Sequence, residues 1–191
     1  LHFTIHSFPT RRSSDLDKQL LSSFSDIVSP DDIEGITTLL EEAGFDDSSL
    51  KKEEIRYITG GWFEEYVYSL VKTTLGLSDE YIGLNIEIEN KKTENEIDTG
   101  FIVNNELYVI ECKTKLKGGE KNLLTETLYK QAALRKDFGL AAKCFLFTMD
   151  EVRNEEGFNR ADQLGITIID FPILKDSGQL EQSFFSKIRR K

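Results

Sequence analysis

The chain has 191 residues, 39% of them hydrophobic, and a net charge of −10. This length can bury the core of one domain without disulfides, and no apolar run approaches the roughly 20 residues of a membrane span. The acidic balance argues against tight nonspecific binding to long duplex DNA, which depends on neutralising phosphates. Cys112 and Cys144 lie in apolar, strand-like runs, so we expect buried free thiols in a reducing cytoplasm.

Residues 1–16 look foreign to the rest of the chain. Residues 6–16 can be encoded by a common sequencing-adapter sequence, so we expect a translation artefact and leave this segment out of the fold prediction. Both histidines, His2 and His6, lie in it. Imidazole bases and ligands are therefore not expected in the authentic protein, and an upstream domain is expected to be missing.

Residues 17–59 have a helical pattern. Ser29 is a good helix N-cap, Pro30 suits the first helical position, and Gly44 suits the end of that helix. A second short helix is expected towards Ile58. Nothing here indicates catalysis, so we interpret the region as a helical connector.

Helices and strands alternate from residue 60 onward. Gly60 and Gly61 are expected to break the chain before a helix whose apolar face includes Phe63, Tyr66 and Val67. Helices are predicted at residues 62–75, 122–138 and 154–163; strands at 81–89, 95–103, 106–113, 143–148 and 165–170; and a polar loop at 90–95. This order predicts an α/β fold with an αβββαβ core and a mixed sheet flanked by helices.

One predicted hairpin gathers charged residues at a single point. Asn104 and Asn105 are a plausible two-residue turn, and that turn places Asp98 directly opposite Glu111, about 4.5 Å apart at Cα. Their repulsion is roughly 3–4 kcal/mol at an effective dielectric of 20. We therefore expect a cation between the two acids. Lys113 projects from the same face as Glu111.

The Glu-Ile-Asp and Glu-Cys-Lys strands, after a helix that bears acids, resemble the PD-(D/E)XK nuclease superfamily over residues 60–170. The resemblance implies a restriction-endonuclease-like fold that hydrolyses phosphodiester bonds with Mn²⁺ or Mg²⁺. It implies that Asp98, Glu111 and the backbone carbonyl of Cys112 bind the metal. Lys113 would orient the attacking water or stabilise the transition state.

Further site residues are expected on the helices and the loop around this motif. The first helix would supply another catalytic and metal-binding acid, Glu64, with Glu65 as the alternative. Lys115 and Lys130 are candidate substrate-binding residues within a local basic cluster that includes Lys117 and Lys121. A solvated loop and an exposed helix face remain equally open interpretations of these lysines.

A closer resemblance is to the CARF-coupled CRISPR ancillary nucleases, carried by residues 60–68, 95–98 and 107–114. In that family an N-terminal CARF domain binds a cyclic oligoadenylate and activates a nuclease within a homodimer. The resemblance implies a connector at residues 17–59, a nuclease domain at 60–191, and a missing CARF domain. The expected substrate is single-stranded DNA or RNA, or a duplex that is nicked.

Two alternatives remain open at this stage. One is a restriction-like or Holliday-junction nuclease without nucleotide control. The other is a non-catalytic domain that retains the nuclease fold. The complete acid–acid–lysine set favours an enzyme.

Overall fold

A computed structural model describes residues 2–5, 56–90, 93–116, 123–137, 142–153 and 155–189. The chain divides into two compact units, residues 1–7 with 60–191 and residues 8–59. The first unit contains the sheet. The connector predicted at residues 17–59 lies outside the described residues except for its last four.

A mixed sheet forms the centre of the first unit. Its strands in the described part of the chain are β1 (His2–Ile5), β2 (Ile82–Asn90), β3 (Thr93–Val103), β4 (Glu106–Lys113), β5 (Lys143–Thr148) and β6 (Ile166–Ile169). They lie side by side in chain order. Neighbours are antiparallel from β1 to β4 and parallel from β4 to β6. The predicted mixed sheet is confirmed.

Helices flank the sheet. They are α1 (Trp62–Leu75), α2 (Leu123–Asp137), α3 (Glu155–Gln163), α4 (Phe171–Lys175), α5 (Ser177–Leu180) and α6 (Ser186–Arg189), with π-helical turns at Tyr57–Gly61 and Glu181–Phe185. The order α1, β2, β3, β4, α2, β5 confirms the predicted αβββαβ core. No described helix is long and apolar enough to cross a bilayer.

Two local predictions were wrong. The loop expected at residues 90–95 is largely strand, because β2 and β3 continue to pair as far as Asn90 opposite Thr93. The break expected at the glycine pair is absent, because Gly61 adopts helical backbone angles and joins the preceding turn to α1. Glycine is compatible with helical as well as broken backbone, so the local pattern did not distinguish them.

The strand at His2–Ile5 was not predicted, because residues 1–16 were left out of the fold prediction. It pairs with the outer edge of β2, for example Phe3 opposite Ile88. An open strand edge presents unpaired backbone groups that accept a short β-branched or aromatic segment. The pairing does not test where the segment comes from, and its origin stays a prediction.

Apolar clusters cover both faces of the sheet. One includes Phe63, Val67 and Val71 of α1, as expected, although Tyr66 of the same helix is 48% exposed. The C-terminal helices, which the sequence pattern did not predict, complete this cluster with Phe184. Its ring lies 4.7 Å from the Phe145 ring, centroid to centroid. The other cluster lies under α2 and α3.

We predict that Phe184→Ala lowers the free energy of unfolding by about 3–5 kcal/mol, because it leaves a large cavity in a fully buried cluster. Phe171→Ala is the matched control, because this ring is 38% exposed. It should cost less than about 1 kcal/mol in urea unfolding. Equal losses for the two variants would contradict a core role for the C-terminal helices.

Candidate active site

The hairpin between β3 and β4 sets the register of the site. Asn104 and Asn105 have φ values of 52° and 61°, as a type I′ turn requires. The strands pair from Val103–Glu106 to Thr99–Ile110. The predicted turn and register are therefore confirmed over these residues.

The backbone pairing of β3 with β4 stops one position before the two acids. Beyond Thr99–Ile110, the backbone N–H of Cys112 donates a 2.6 Å hydrogen bond to Asp98 Oδ2. The Asp98 carboxylate thus takes the place of a strand carbonyl. Asp98 and Glu111 remain close enough for the charge of Glu111 to affect the pKa of Asp98.

The neighbouring strand β2 changes its buried face at this point of the sheet. Ile82 and Ile88 of β2 are six residues apart and would share a face in a regular strand, yet they lie in different core clusters. Asn85, between them, has a φ of 50° and a buried Oδ1 that has no hydrogen bond within the described residues. Asn85 lies between the pairs Leu84–Thr99 and Ile86–Ile97, so it is level with Asp98.

The two acids are almost completely removed from water. Asp98 is 8% exposed and Glu111 is 3% exposed. Burial and the charge of Glu111 raise the pKa of Asp98 to about 7, although Lys113 and the Cys112 N–H oppose the shift. Burial alone would lower the pKa of Lys113, but the charges of Glu111 and Asp98 outweigh it and raise that pKa.

Two lysines converge on one oxygen of Glu111. Lys113 Nζ lies 2.7 Å from Glu111 Oε1, and Lys130 Nζ, from helix α2, lies 3.7 Å from the same atom. Within the described residues this oxygen has no hydrogen bond of regular geometry. The sequence predicted that Lys113 lies beside Glu111, while Lys130 arrives from a separate element.

The first helix presents Glu64 to this cluster. The negative charge of Glu64 adds to the rise in the pKa of Asp98 and of the Cys112 thiol, whose largest cause is burial. The charge of Glu64 thus reaches the cluster from α1, while the choice of Glu64 over Glu65 and its catalytic and metal-binding roles stay predictions.

The loop lysines are less closely tied to the cluster. Lys115 is exposed. Lys117 and Lys121 lie outside the described residues. Among the lysines that the structure describes, Lys130 reaches Glu111, whereas Lys115 has no ion pair to either acid. Substrate binding by both residues stays a prediction.

Asp150 is a site-supporting residue that the sequence analysis missed. Its Oδ2 accepts a 2.6 Å hydrogen bond from the backbone N–H of Leu116, three residues after Lys113. The next residue back, Met149, donates its backbone N–H to the carbonyl of Lys113. The two residues that follow β5 thus form hydrogen bonds with the backbone on both sides of Lys115. A lone Asp after a strand gives no sequence signal for such a contact.

The side chains fit a divalent cation in part. Two close carboxylates supply the hard oxygens that Mg²⁺ and Mn²⁺ prefer, and Glu111 Oε1 lacks a regular hydrogen bond within the described residues. No group of three or more His, Cys, Asp or Glu side chains in this part of the chain is spaced to hold a metal ion. A cation here would need further ligands from backbone oxygens or water, and its binding stays a prediction.

This fold, with an Asp, a Glu and a Lys meeting where β3 and β4 stop pairing, is that of a nuclease domain. The chain belongs to the Card1-like endonuclease domain family, which it matches over residues 51–183. The predicted resemblance to CARF-coupled nucleases with a PD-(D/E)XK-like domain is thereby confirmed.

Solved structures agree with this assignment. The protein VC1899 from Vibrio cholerae is 30% identical with a TM-score of 0.63, over 81% of this chain and 43% of that chain. Can2 from Sulfobacillus thermosulfidooxidans, solved in complex with cyclic tetra-adenylate, is 29% identical with a TM-score of 0.59, over 73% of this chain and 39% of that chain. The chain thus spans less than half of either protein. Comparison with curated proteins gives no match.

We predict that Asp98→Asn stabilises the metal-free protein above pH 7 and has no such effect below pH 4. Between these values the unfolded state releases the Asp98 proton while the folded state retains it, because the folded pKa is about 7 and the ordinary pKa of an aspartate is 3.8. Stability of the unsubstituted protein therefore falls as pH rises through this window, by an amount on the order of 2–4 kcal/mol. The asparagine keeps an acceptor for the Cys112 N–H.

Urea unfolding in EDTA at several pH values measures this effect. Asp79→Asn is the control of opposite sign, because an ion pair with Lys72 lowers the pKa of exposed Asp79. Near neutral pH, Asp79→Asn should have a lower free energy of unfolding than the unsubstituted protein. At pH 3 this difference should be smaller. The raised pKa of Asp98 would be contradicted if Asp98→Asn and the unsubstituted protein differed in free energy of unfolding by the same amount at every pH.

We also predict that Asp150→Ala frees the backbone amide of Leu116, whereas Asp150→Asn retains an acceptor for it. Loss of a hydrogen bond to a charged group costs about 1.5–3 kcal/mol, and the asparagine variant should lose less. Hydrogen exchange at the Leu116 amide measures the local effect. Unchanged protection in the alanine variant would show that another group holds this segment.

Proposed function

We propose that the chain is a metal-dependent endonuclease domain that hydrolyses phosphodiester bonds with Mn²⁺ or Mg²⁺. The observation that carries the proposal is the convergence of buried Asp98 and Glu111 with Lys113, whose Nζ lies 2.7 Å from Glu111 Oε1. Membership of an endonuclease domain family supports the reaction class.

The two carboxylates would hold the cation together with the backbone carbonyl of Cys112. When bound, the cation would neutralise charge on the phosphate and lower the pKa of a water molecule. Burial supports this role, because a cation in a dry site interacts strongly with both acids and is weakly screened. The Cys112 thiol, buried on the opposite face among apolar residues, has no part in the reaction.

Lys113 would act on the substrate. Its ammonium remains protonated because the neighbouring acids raise its pKa, so it can donate hydrogen bonds to the attacking water or to the negative charge that develops on phosphorus. Glu64 would bind the cation through water or orient that water, because its charge reaches Asp98 from α1.

The substrate we propose is single-stranded DNA or RNA, or a duplex that is nicked. The net charge of −10 disfavours broad electrostatic binding to a duplex. Contacts would instead be local, through Lys115 and Lys130 near the acids.

For the whole protein we propose control by a cyclic oligoadenylate in a homodimeric CRISPR ancillary nuclease. Can2, similar over 73% of this chain, was solved with cyclic tetra-adenylate, and this chain covers only 39% of it. The binding domain would lie outside the present sequence. A restriction-like nuclease without nucleotide control, and a non-catalytic domain, are the competing functions.

The test is cleavage of end-labelled single-stranded DNA and RNA with Mn²⁺, together with calorimetric titration of Mn²⁺. Glu111→Gln should lower the cleavage rate at least about 100-fold and abolish Mn²⁺ binding, because it removes a charged ligand. Asp98→Asn and Lys113→Ala should also abolish cleavage. Glu155→Gln, an exposed acid at the start of α3, should change neither result.

Full metal-dependent cleavage by Glu111→Gln would contradict the assignment. Absence of Mn²⁺ binding by the unsubstituted protein would favour the non-catalytic alternative, whatever the state of a regulatory domain.

A further inference from the structure

Lys130 occupies an unusual position among the basic residues. It lies on α2, apart from the hairpin that carries the two acids, yet its Nζ is 3.7 Å from Glu111 Oε1. Its side chain is 55% exposed, whereas that of Glu111 is 4% exposed. The exposed ammonium group of Lys130 on α2 thus lies next to the buried carboxylate of Glu111 on β4.

The oxygen that Lys130 approaches already has a positively charged neighbour. Lys113 Nζ is 2.7 Å from the same Oε1, and the oxygen has no hydrogen bond of regular geometry within the described residues. Both ammonium groups therefore help to neutralise Glu111, and Lys113 makes the shorter contact. A divalent cation bound to this carboxylate would take over that neutralisation and would repel both ammonium groups.

The two lysines differ in how readily they can move away from Glu111. Lys113 is on the same strand as Glu111, two residues away, and its side chain is 37% exposed. Lys130 is more exposed and holds a longer contact. Exposed lysine ion pairs contribute little stability, and the flexible lysine stem allows the ammonium to move by several ångströms.

We infer that Lys130 is an exchangeable counter-charge for the hydrolytic site. It pairs with Glu111 when no divalent cation is bound, and it transfers to a phosphate oxygen of the nucleic acid when cation and substrate bind together. This inference rests on the proposed function. It makes Lys130 a competitor of the metal in the absence of nucleic acid and a substrate ligand in its presence.

Such an exchange couples the two ligands. Nucleic acid that attracts Lys130 removes a positive charge from Glu111, and the cation then binds more tightly. By thermodynamic linkage, the cation must strengthen nucleic-acid binding by the same factor. A lysine that served only as a fixed substrate contact would leave the metal affinity unchanged when the nucleic acid is absent.

The experiment measures the Kd of Mn²⁺ by calorimetry, with and without a single-stranded oligonucleotide whose phosphorothioate linkages resist cleavage. Without oligonucleotide, Lys130→Gln should bind Mn²⁺ about three- to tenfold more tightly than the unsubstituted protein, a change of up to about 1.4 kcal/mol. Adding the oligonucleotide should tighten Mn²⁺ binding to the unsubstituted protein several-fold and should have little effect on Lys130→Gln.

Two matched variants control for charge and for folding. Lys136→Gln removes another exposed lysine of α2, one that has no ion pair to either acid among the described residues, so its Mn²⁺ affinity without oligonucleotide should equal that of the unsubstituted protein. Lys130→Arg keeps the charge and should retain most of the competition with Mn²⁺. Because residue 130 is exposed, both Lys130 variants should unfold at the same temperature as the unsubstituted protein.

An unchanged or weaker Mn²⁺ affinity of Lys130→Gln without oligonucleotide would overturn the inference, as would undiminished coupling in that variant. These outcomes are separable from failure of the proposed function. If Glu111→Gln abolishes Mn²⁺ binding while Lys130→Gln behaves like the unsubstituted protein, only the exchange is wrong. If Glu111→Gln binds Mn²⁺ normally, the proposed metal site is wrong as well.

Discussion

The structure depends on keeping two mutually repelling carboxylates close together away from water. At an effective dielectric of 20, like charges within about 4–6 Å of each other repel by on the order of 3 kcal/mol, a large fraction of the stability of a small domain. Asp98 responds with a pKa raised to about 7, and Glu111 is neutralised by Lys113 and Lys130. The most direct physical interpretation of such a cluster is a site that a divalent cation stabilises and that uses Lys113 on an anionic substrate.

The surrounding fold holds this cluster in place from several directions. The β3–β4 ladder ends one position before the two acids. The Cys112 N–H therefore donates its hydrogen bond to the Asp98 side chain instead of to a backbone carbonyl of β3. Asn85, with its positive φ, marks the level at which β2 changes its buried face. Asp150 fixes the segment after Lys113. The aromatic cluster around Phe184 stabilises the opposite face of the same strands.

Local chemistry made part of this predictable. Asn tolerance of positive φ determines the hairpin register, and apolar periodicity placed α1 at Trp62–Leu75 and β5 at Lys143–Thr148 without error. The remainder depends on long-range contacts that no local pattern encodes. The C-terminal helices complete the core only because Phe184 meets strands more than thirty residues earlier in the chain. Likewise, Lys130 and Lys115 look alike in sequence, and only the packing of α2 on the sheet separates them.

The most direct test of the proposed metal site is the anomalous scattering of Mn²⁺ in crystals of this domain soaked at neutral pH. We expect one strong peak within about 2.0–2.5 Å of carboxylate oxygens of both Asp98 and Glu111, with Lys130 displaced from Glu111 Oε1. A map with no peak between these acids, at Mn²⁺ concentrations that saturate the protein in solution, would contradict the claim that their repulsion marks a metal site.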